Sequence, residues 1–337
     1  MSFKRFEADD LVVSAEPVSS PVWSTGQPTL TAFYTSSAQA NGVTGNYYIN
    51  VYQTGSTENS AAVQLAIAYA DVKGSGSLAY NAAIPGTSYT RTTYGQLRNL
   101  VLGDEETTVS FDNYSANNFY VISIDRDRYK ESLLQGSFNL HLSSSSPSLA
   151  ALHLTDNSGD VNTVTFNDAG RVFQVISGSN GSAYSGTGYT TSSGSYGLFL
   201  PDVGIVLLNA DALDDNSGEG INLGTGRSSN TDNNNEAKLF NSIVGGGSFQ
   251  LNYQETISSQ FVFTRVRNSE FNYSTNPSYI TGSGDLRINN FVNAPQTYIT
   301  TVGMYNDNNE LLAVAKLSKP LLKDFTKEAL IRIKLDF

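Results

Sequence analysis

Three kinds of side chain in this sequence have the chemistry to act on a ligand: clustered carboxylates, two histidines, and arginines that lead into a run of amides and hydroxyls. The carboxylates cluster at Asp104/Glu105/Glu106, Asp125/Asp127 and Asp214/Asp215. A glycosidase needs two acids facing each other across a cleft, and sequence neighbours in polar runs read more simply as solvated turns. The oxygen-rich runs DNSGD (156–160) and DDNSGEG (214–220) invite calcium, but Gly218 falls where the helix–loop–helix calcium loop requires an oxygen ligand. His141 and His153 each lie between leucines in LHL. Strand alternation sets each against its leucines, and a hairpin would bring both to one face. Two imidazoles can begin a metal site, yet no Cys, His or Glu stands at a spacing that completes one. There is no Gly-x-Ser-x-Gly elbow, no Gly-Lys-Ser/Thr phosphate loop and no cysteine. No catalytic, cofactor-binding or metal-ligating residue is therefore assigned, no cofactor is expected, and the chain is not expected to be an enzyme.

The third group lies in FVFTRVRNSEFNYSTNPSYI, residues 261–280. On an extended strand Phe261, Phe263, Arg265 and Arg267 share one face, which changes from apolar to cationic along its length. Guanidinium groups suit carboxylates of an acidic partner. The following residues close local turns through their side chains, and Phe271 and Tyr273 are free to tuck into a neighbouring surface. No nucleophile–base pair occurs in the stretch, so it reads as a joint. Loops rich in Tyr, Ser, Gly and Asn, at 177–197 and 214–235, have the composition of adaptable contact surfaces.

Composition sets the frame that must hold these residues. The chain has 337 residues, 39% hydrophobic and only 15% charged, with 19 tyrosines and 29 glycines. Aromatic and β-branched residues between Gly/Asn/Ser turns indicate a mainly β protein. The net charge of −11 argues against binding nucleic acid or an anionic membrane surface. The charge is uneven: residues 311–337 carry +3 and the remainder −14, an acidic body with a basic tail that suits head-to-tail contact between subunits. MSFKRFEADD has no apolar run after its basic residues, and LFLPDVGIVLLNADAL is broken by Pro201, Asp202, Gly204 and Asp211, so neither a signal peptide nor a membrane span is expected.

Along the chain, TLTAFYT, GNYYINVYQTG, NFYVISI, FNLHL, LAALHL, NTVTF, RVFQVIS and YGLFLPDVGIVLLN read as strands, with NDAG as a tight turn. AAVQLAIAYADV alternates with Val63, Leu65, Ile67 and Tyr69 on one face, with helix as the rival because of its alanines. The helical segments are SYTRTTYGQLRNLVLGDEE, with a Tyr94/Leu97/Leu100/Val101 stripe and Gly103 as stop, and NNEAKLFNSIVGGG, with Leu239/Phe240/Ile243/Val244. Near the end, FQLNYQETI and FVFTRVR read as two strands, and TYITTVGMY and ELLAVAKL as a hairpin about NDNN. ALIRIKLDF alternates strictly, with Ile331, Ile333, Leu335 and Phe337 opposite Arg332, Lys334 and Asp336, and it must pair with a strand of the fold or of a neighbour. The expected fold is mainly β, with β-sandwich-like domains, short helices and long Ser/Gly/Asn-rich loops. The expected divisions are an N-terminal arm (1–45), a β-rich domain (46–130) continuous in space with 251–337, an inserted β-domain (131–250), and a C-terminal β-domain (251–337).

Four segments, DRDRYKESLLQGSFNLHL, GRSSNTDNNN, RVRNSEFNYSTNPSYI and TTVGMYNDNNELLAVAKLSKPLLKDFTKEALIRIKLDF, give the chain a resemblance to a virion structural protein of contractile-tailed phages of marine cyanobacteria. It covers most of 118–337 and is strongest from about 261 onward; Leu134-Gln135 stand where the family has Pro before Gly136. The resemblance implies a structural subunit of the tail or baseplate, assembled in the host cytoplasm and localised to the virion. Its partners would be other virion structural proteins, in a homo- or hetero-oligomer, without nucleic acid or membrane. The interface is expected at Arg265, Arg267, Glu270, Phe271, Tyr273, Arg332, Lys334 and Phe337. The alternative is a host-surface glycan-binding or fibre-associated protein.

Overall fold

Alternating and continuous apolar runs divide the strands into two groups, and the fold follows that division. The computed structural model describes residues 3–36, 48–76, 80–81, 83–84, 88–184, 192–227, 235–274 and 276–336. The chain is mainly β, 42% strand and 14% helix, with antiparallel sheets and four short helices among the described residues. It separates into two compact units: Val18–Glu255, and Met1–Pro17 together with Thr256–Phe337.

The larger unit is built on one broad antiparallel sheet. Its strand order is Thr29–Leu30, Phe249–Gln250, Asn139–Leu142, Leu152–Asp156, Gly170–Ser179, Gly197–Leu200, Ile205–Asn209, Asn118–Ile124, Val63–Asp71, Ile49–Tyr52. The central strands are apolar on both faces because both faces are covered. In Asn118–Ile124, Phe119 and Val121 enter one core cluster, while Tyr120, Ile122 and Ile124 enter another. Val63–Asp71 is a strand, with Leu65, Ile67 and Tyr69 in the larger core as expected. Its alanines have a different use. Ala68 and Ala70 leave room on the opposite face for the helix Tyr89–Leu102, which lays Tyr94, Leu97 and Val101 against it. Leu100 falls off that stripe and is exposed. Gly103 ends the helix with φ 69°, the left-handed conformation that glycine adopts without steric cost. The helix Asn235–Gly246 packs against Asn139–Leu142 and Val63–Asp71 through Leu239 and Ile243; Val244 is exposed.

Two expected divisions differ from this arrangement. Residues 18–36 are not an arm: Val22, Trp23 and Leu30 are buried, and Trp23 Nε1 donates to the Pro28 carbonyl at 3.0 Å. The stretch 46–130 belongs with 131–250, because Asn118–Ile124 pairs along its length with Ile205–Asn209. A strand apolar on both faces needs cover on both, and 131–250 helps to supply it.

The smaller unit is sandwich-like. FQLNYQETI and FVFTRVR are not divided at SSQ, which holds no Gly, Pro or Asn to turn the chain; the break comes at Leu251, Asn252–Val266 is one long strand, and the unit boundary falls within it. From Ser259 to Val266 it pairs antiparallel with Ala329–Asp336. Val262 and Ile333, with Ile331 and Leu335 beside them, pack against Val302, Met304, Ala313 and Ala315 of the hairpin Gln296–Tyr305/Leu311–Asp324. The NDNN turn is closed by Asn306 Oδ1, which accepts from the Asn308 and Glu310 amides at 3.0 and 2.8 Å, and Asn309 takes φ 62°.

Candidate interaction surface

Pairing register defines the outer face of the smaller unit's sheet. Phe261 lies opposite Lys334, Phe263 opposite Arg332 and Arg265 opposite Leu330. Directly opposed residues share a face, so two half-buried phenylalanines sit beneath a cationic cover. Arg332 lies 5.6 Å and Lys334 5.9 Å from the Phe261 ring centroid, within cation–π range. Lys334 also pairs with Asp336 at 3.1 Å and Glu16 at 3.8 Å, whereas Arg265 and Arg332 form no ion pair among the described residues. The expected arginine pair is corrected here. The strand ends at Val266, and Arg267 begins a turn: its amide donates to Glu270 Oε2 at 2.8 Å, and its carbonyl accepts from the Glu270 amide. That backbone hydrogen bond, with help from Lys4 at 3.2 Å, holds the Glu270 carboxyl below its ordinary pKa.

The loop after Arg267 is organised around a residue that sequence reading missed. Lys323 is fully buried, and its Nζ donates to the Asn268 carbonyl (3.0 Å), Asn272 Oδ1 (2.7 Å) and the Asp324 carbonyl (2.8 Å). Three donors meet three neutral oxygens, which satisfies a buried ammonium without a carboxylate. Phe271 adopts φ 52°, and its carbonyl accepts from Thr297 Oγ1 at 2.6 Å. Tyr273 is left 67% exposed. The loop is therefore held rigidly while it presents an aromatic ring to solvent. Phe337 lies outside the described residues.

Exposed apolar side chains concentrate in this unit. Leu11, Val12 and Val13 are exposed on the strand Leu11–Pro21, and Tyr298, Tyr305, Leu312 and Val314 on the hairpin. The hairpin forms a two-stranded sheet of its own. Charge separates differently from the expected basic tail: the smaller unit holds eleven Lys/Arg and eleven Asp/Glu, the larger nine and twenty. The whole net negative charge thus resides in the larger unit.

In the larger unit, His141 and His153 are register partners, as the hairpin reading expected, and their rings stack at 3.8 Å. His141 Nδ1 lies 2.9 Å from Ser248 Oγ, and His153 Nδ1 lies 3.2 Å from the Tyr184 hydroxyl. Burial, then the neighbouring His153, lowers the His141 pKa. No group of three His, Cys, Asp or Glu is placed to hold a metal among the described residues. The carboxylate clusters close turns: Asp104 accepts from the Glu106 amide at 2.7 Å and Asp125 from the Asp127 amide at 2.9 Å. In DNSGD, buried Asp156 accepts from the Gly136 and Ser158 amides.

The composition of the loops at 177–197 and 214–235 predicts adaptable contact surfaces. Residues 185–191 and 228–234 lie outside the described residues, but the flanks are well anchored: Ser195, Tyr196, Ile221 and Leu223 are buried. Asn209 ties the two flanks together. Its Nδ2 donates to the Ser193 and Ser195 carbonyls, and its Oδ1 caps the helix Ala210–Asp214. That helix holds Asp211 and Asp214 beside Arg227. Asp211 pairs with Arg227 and accepts from the Tyr114 hydroxyl at 2.7 Å. Asp214 Oδ1 accepts from the Thr225 amide and hydroxyl, both at 2.9 Å, and its other oxygen lies 3.6 Å from Arg227. Burial, and then Asp211, raises the Tyr114 pKa, so the phenol remains a donor. Two cavities, about 490 and 230 Å³, share Asp211 and Arg227 in their walls. The sequence signal for this site was weak, because Asp211–Tyr114 joins residues 97 apart.

In the same unit Glu236, on the first turn of Asn235–Gly246, is buried with Oε1 unpartnered among the described residues. Burial pushes its carboxyl up to about 7. No family model, no curated protein and no solved structure matches this chain.

Proposed function

We propose that the protein is a structural subunit of a tailed-phage virion, in the tail or baseplate region, and that it assembles with neighbouring subunits through strands and loops of its smaller unit. One observation carries the reading. Among the described residues, seventeen of the 26 exposed large apolar side chains belong to the smaller unit, which holds under a third of the chain. Exposed apolar surface concentrated in one part of a molecule marks candidate interaction sites. The resemblance of residues 118–337 to a cyanophage virion protein supplies the kind of particle, and the ordered loop around Lys323 supplies a pre-formed contact with Tyr273 at its surface. Docking is mechanical in this reading: open strand edges and apolar faces are covered by other chains, and no covalent bond is broken.

The test is incorporation into particles. Leu312→Lys combined with Val314→Lys alters two exposed positions on the hairpin and leaves the packed core untouched. The variant is expected to fold and to be missing from purified particles by mass spectrometry. Incorporation at the wild-type level would contradict the proposal.

A further inference from the structure

We propose that the paired cavities flanking the Asp211–Arg227 ion pair bind a neutral saccharide. This goes beyond the assembly reading and rests on the larger unit alone. The larger cavity, about 490 Å³ in volume, is a wide, open surface depression, suited to a ligand that lies along the surface. Its lining is mostly polar and comes from both Ser/Gly/Asn-rich stretches, Ser193 from one and Asp214, Asp215, Asn216, Thr225 and Arg227 from the other, with Tyr114 beside them.

The charges decide the ligand class. Arg227 is committed to Asp211 and Asp214, so an incoming anion would meet three carboxylates and no free cation in the larger cavity. A bare metal ion would have to displace donors already in place, since Tyr114 occupies Asp211 and Thr225 occupies Asp214. What remains are oriented hydrogen-bonding groups with spare capacity. Asp215 uses only Oδ1, toward Ser217, and the exposed Asn216 amide has no partner among the described residues. A carboxylate that accepts and an amide that both donates and accepts match the hydroxyls of a sugar, each of which also does both. Tyr114 lines this cavity and Tyr80 the adjoining one, and an aromatic ring is a platform suited to the C–H side of a pyranose. Asn209 holds the Ser193 and Ser195 carbonyls and the Asp211 amide in place, so this part of the wall is ordered before any ligand arrives.

The experiment is calorimetric titration of the full chain with a panel of neutral hexose and N-acetylhexosamine oligosaccharides. Sulfated and sialylated oligosaccharides and calcium chloride run beside it. At least one neutral oligosaccharide is expected to bind. Asn216→Ala, at an exposed position, is expected to weaken that binding about 3- to 10-fold, the loss of one hydrogen bond, with the melting temperature unchanged. The proposal is overturned if no neutral oligosaccharide binds at millimolar concentration, if only the anionic sugars or calcium bind, or if Asn216→Ala binds as wild type does. None of these outcomes bears on particle incorporation, so the two proposals fail separately.

Discussion

The two units use the same element, the antiparallel strand, to opposite ends. In the larger, the central strands are covered on both faces: Phe138 stacks on Phe199 at 5.3 Å and meets Phe249 edge-on at 5.6 Å, and both core clusters are continuous across several strands. In the smaller, the buried apolar side chains among the described residues are Val262, Val266, Met304 and Ile333, while Val13 and Leu312 are 71% and 68% exposed. The difference teaches that strand content does not measure burial. The larger unit draws its stability from its own core, and the smaller leaves more of its apolar side chains exposed.

Core substitution should separate the units most sharply. Phe138→Ala is expected to cost about 3–5 kcal/mol in chemical denaturation, whereas Val262→Ala, in a core with few buried neighbours to collapse around it, should cost about 1–2 kcal/mol. Equal losses would break the comparison.

Glu236 gives the larger unit a pH dependence. Its folded pKa of about 7 lies above its ordinary 4.5, so the folded state binds the proton more tightly. That contribution is fully present below pH 4.5 and is lost as pH rises to about 7, a decline of about 3 kcal/mol. Glu236→Gln should flatten the profile and stabilise the protein at pH 8, as read by urea midpoints at pH 4 and pH 8. An unchanged slope would show that the buried carboxyl does not set it.

Lys323→Ala sharpens the account of the smaller unit. It leaves the oxygens of Asn268, Asn272 and Asp324 without their donor and should cost about 1–3 kcal/mol, with faster amide exchange across 267–274. Smallest of all should be the stability change in the Leu312→Lys, Val314→Lys variant, within about 0.5 kcal/mol, because both side chains already face solvent. A large loss would mean that the hairpin's outer face is packed in the isolated chain.

Local signals in the sequence were good guides where the structure is local. NDNN and NDAG turn hairpins, Gly103 stops a helix, and strict alternation sends Ile331, Ile333 and Leu335 to the small core. Legibility failed where one pattern served two structures. Alternation could not say whether FVFTRVR begins a strand or continues one, nor that the chain turns at Arg267 and takes it off the arginine face. The alanines of 63–71 looked helical because small residues that admit a packed helix are also good helix formers. The cleft and the Lys323 loop were invisible for another reason: their partners meet only in the folded chain, as Tyr114 meets Asp211 and Asn268 meets Lys323.

The central claim is that the exposed strands of the smaller unit are covered in assembly. Amide hydrogen exchange, followed on the free subunit and on the subunit within particles, tests it directly. The account predicts strong new protection at residues 11–13 and along 296–324 in the particle, with the core strands 118–124 and 205–209 unchanged. The same exchange in both states along 11–13 and 296–324 would contradict it.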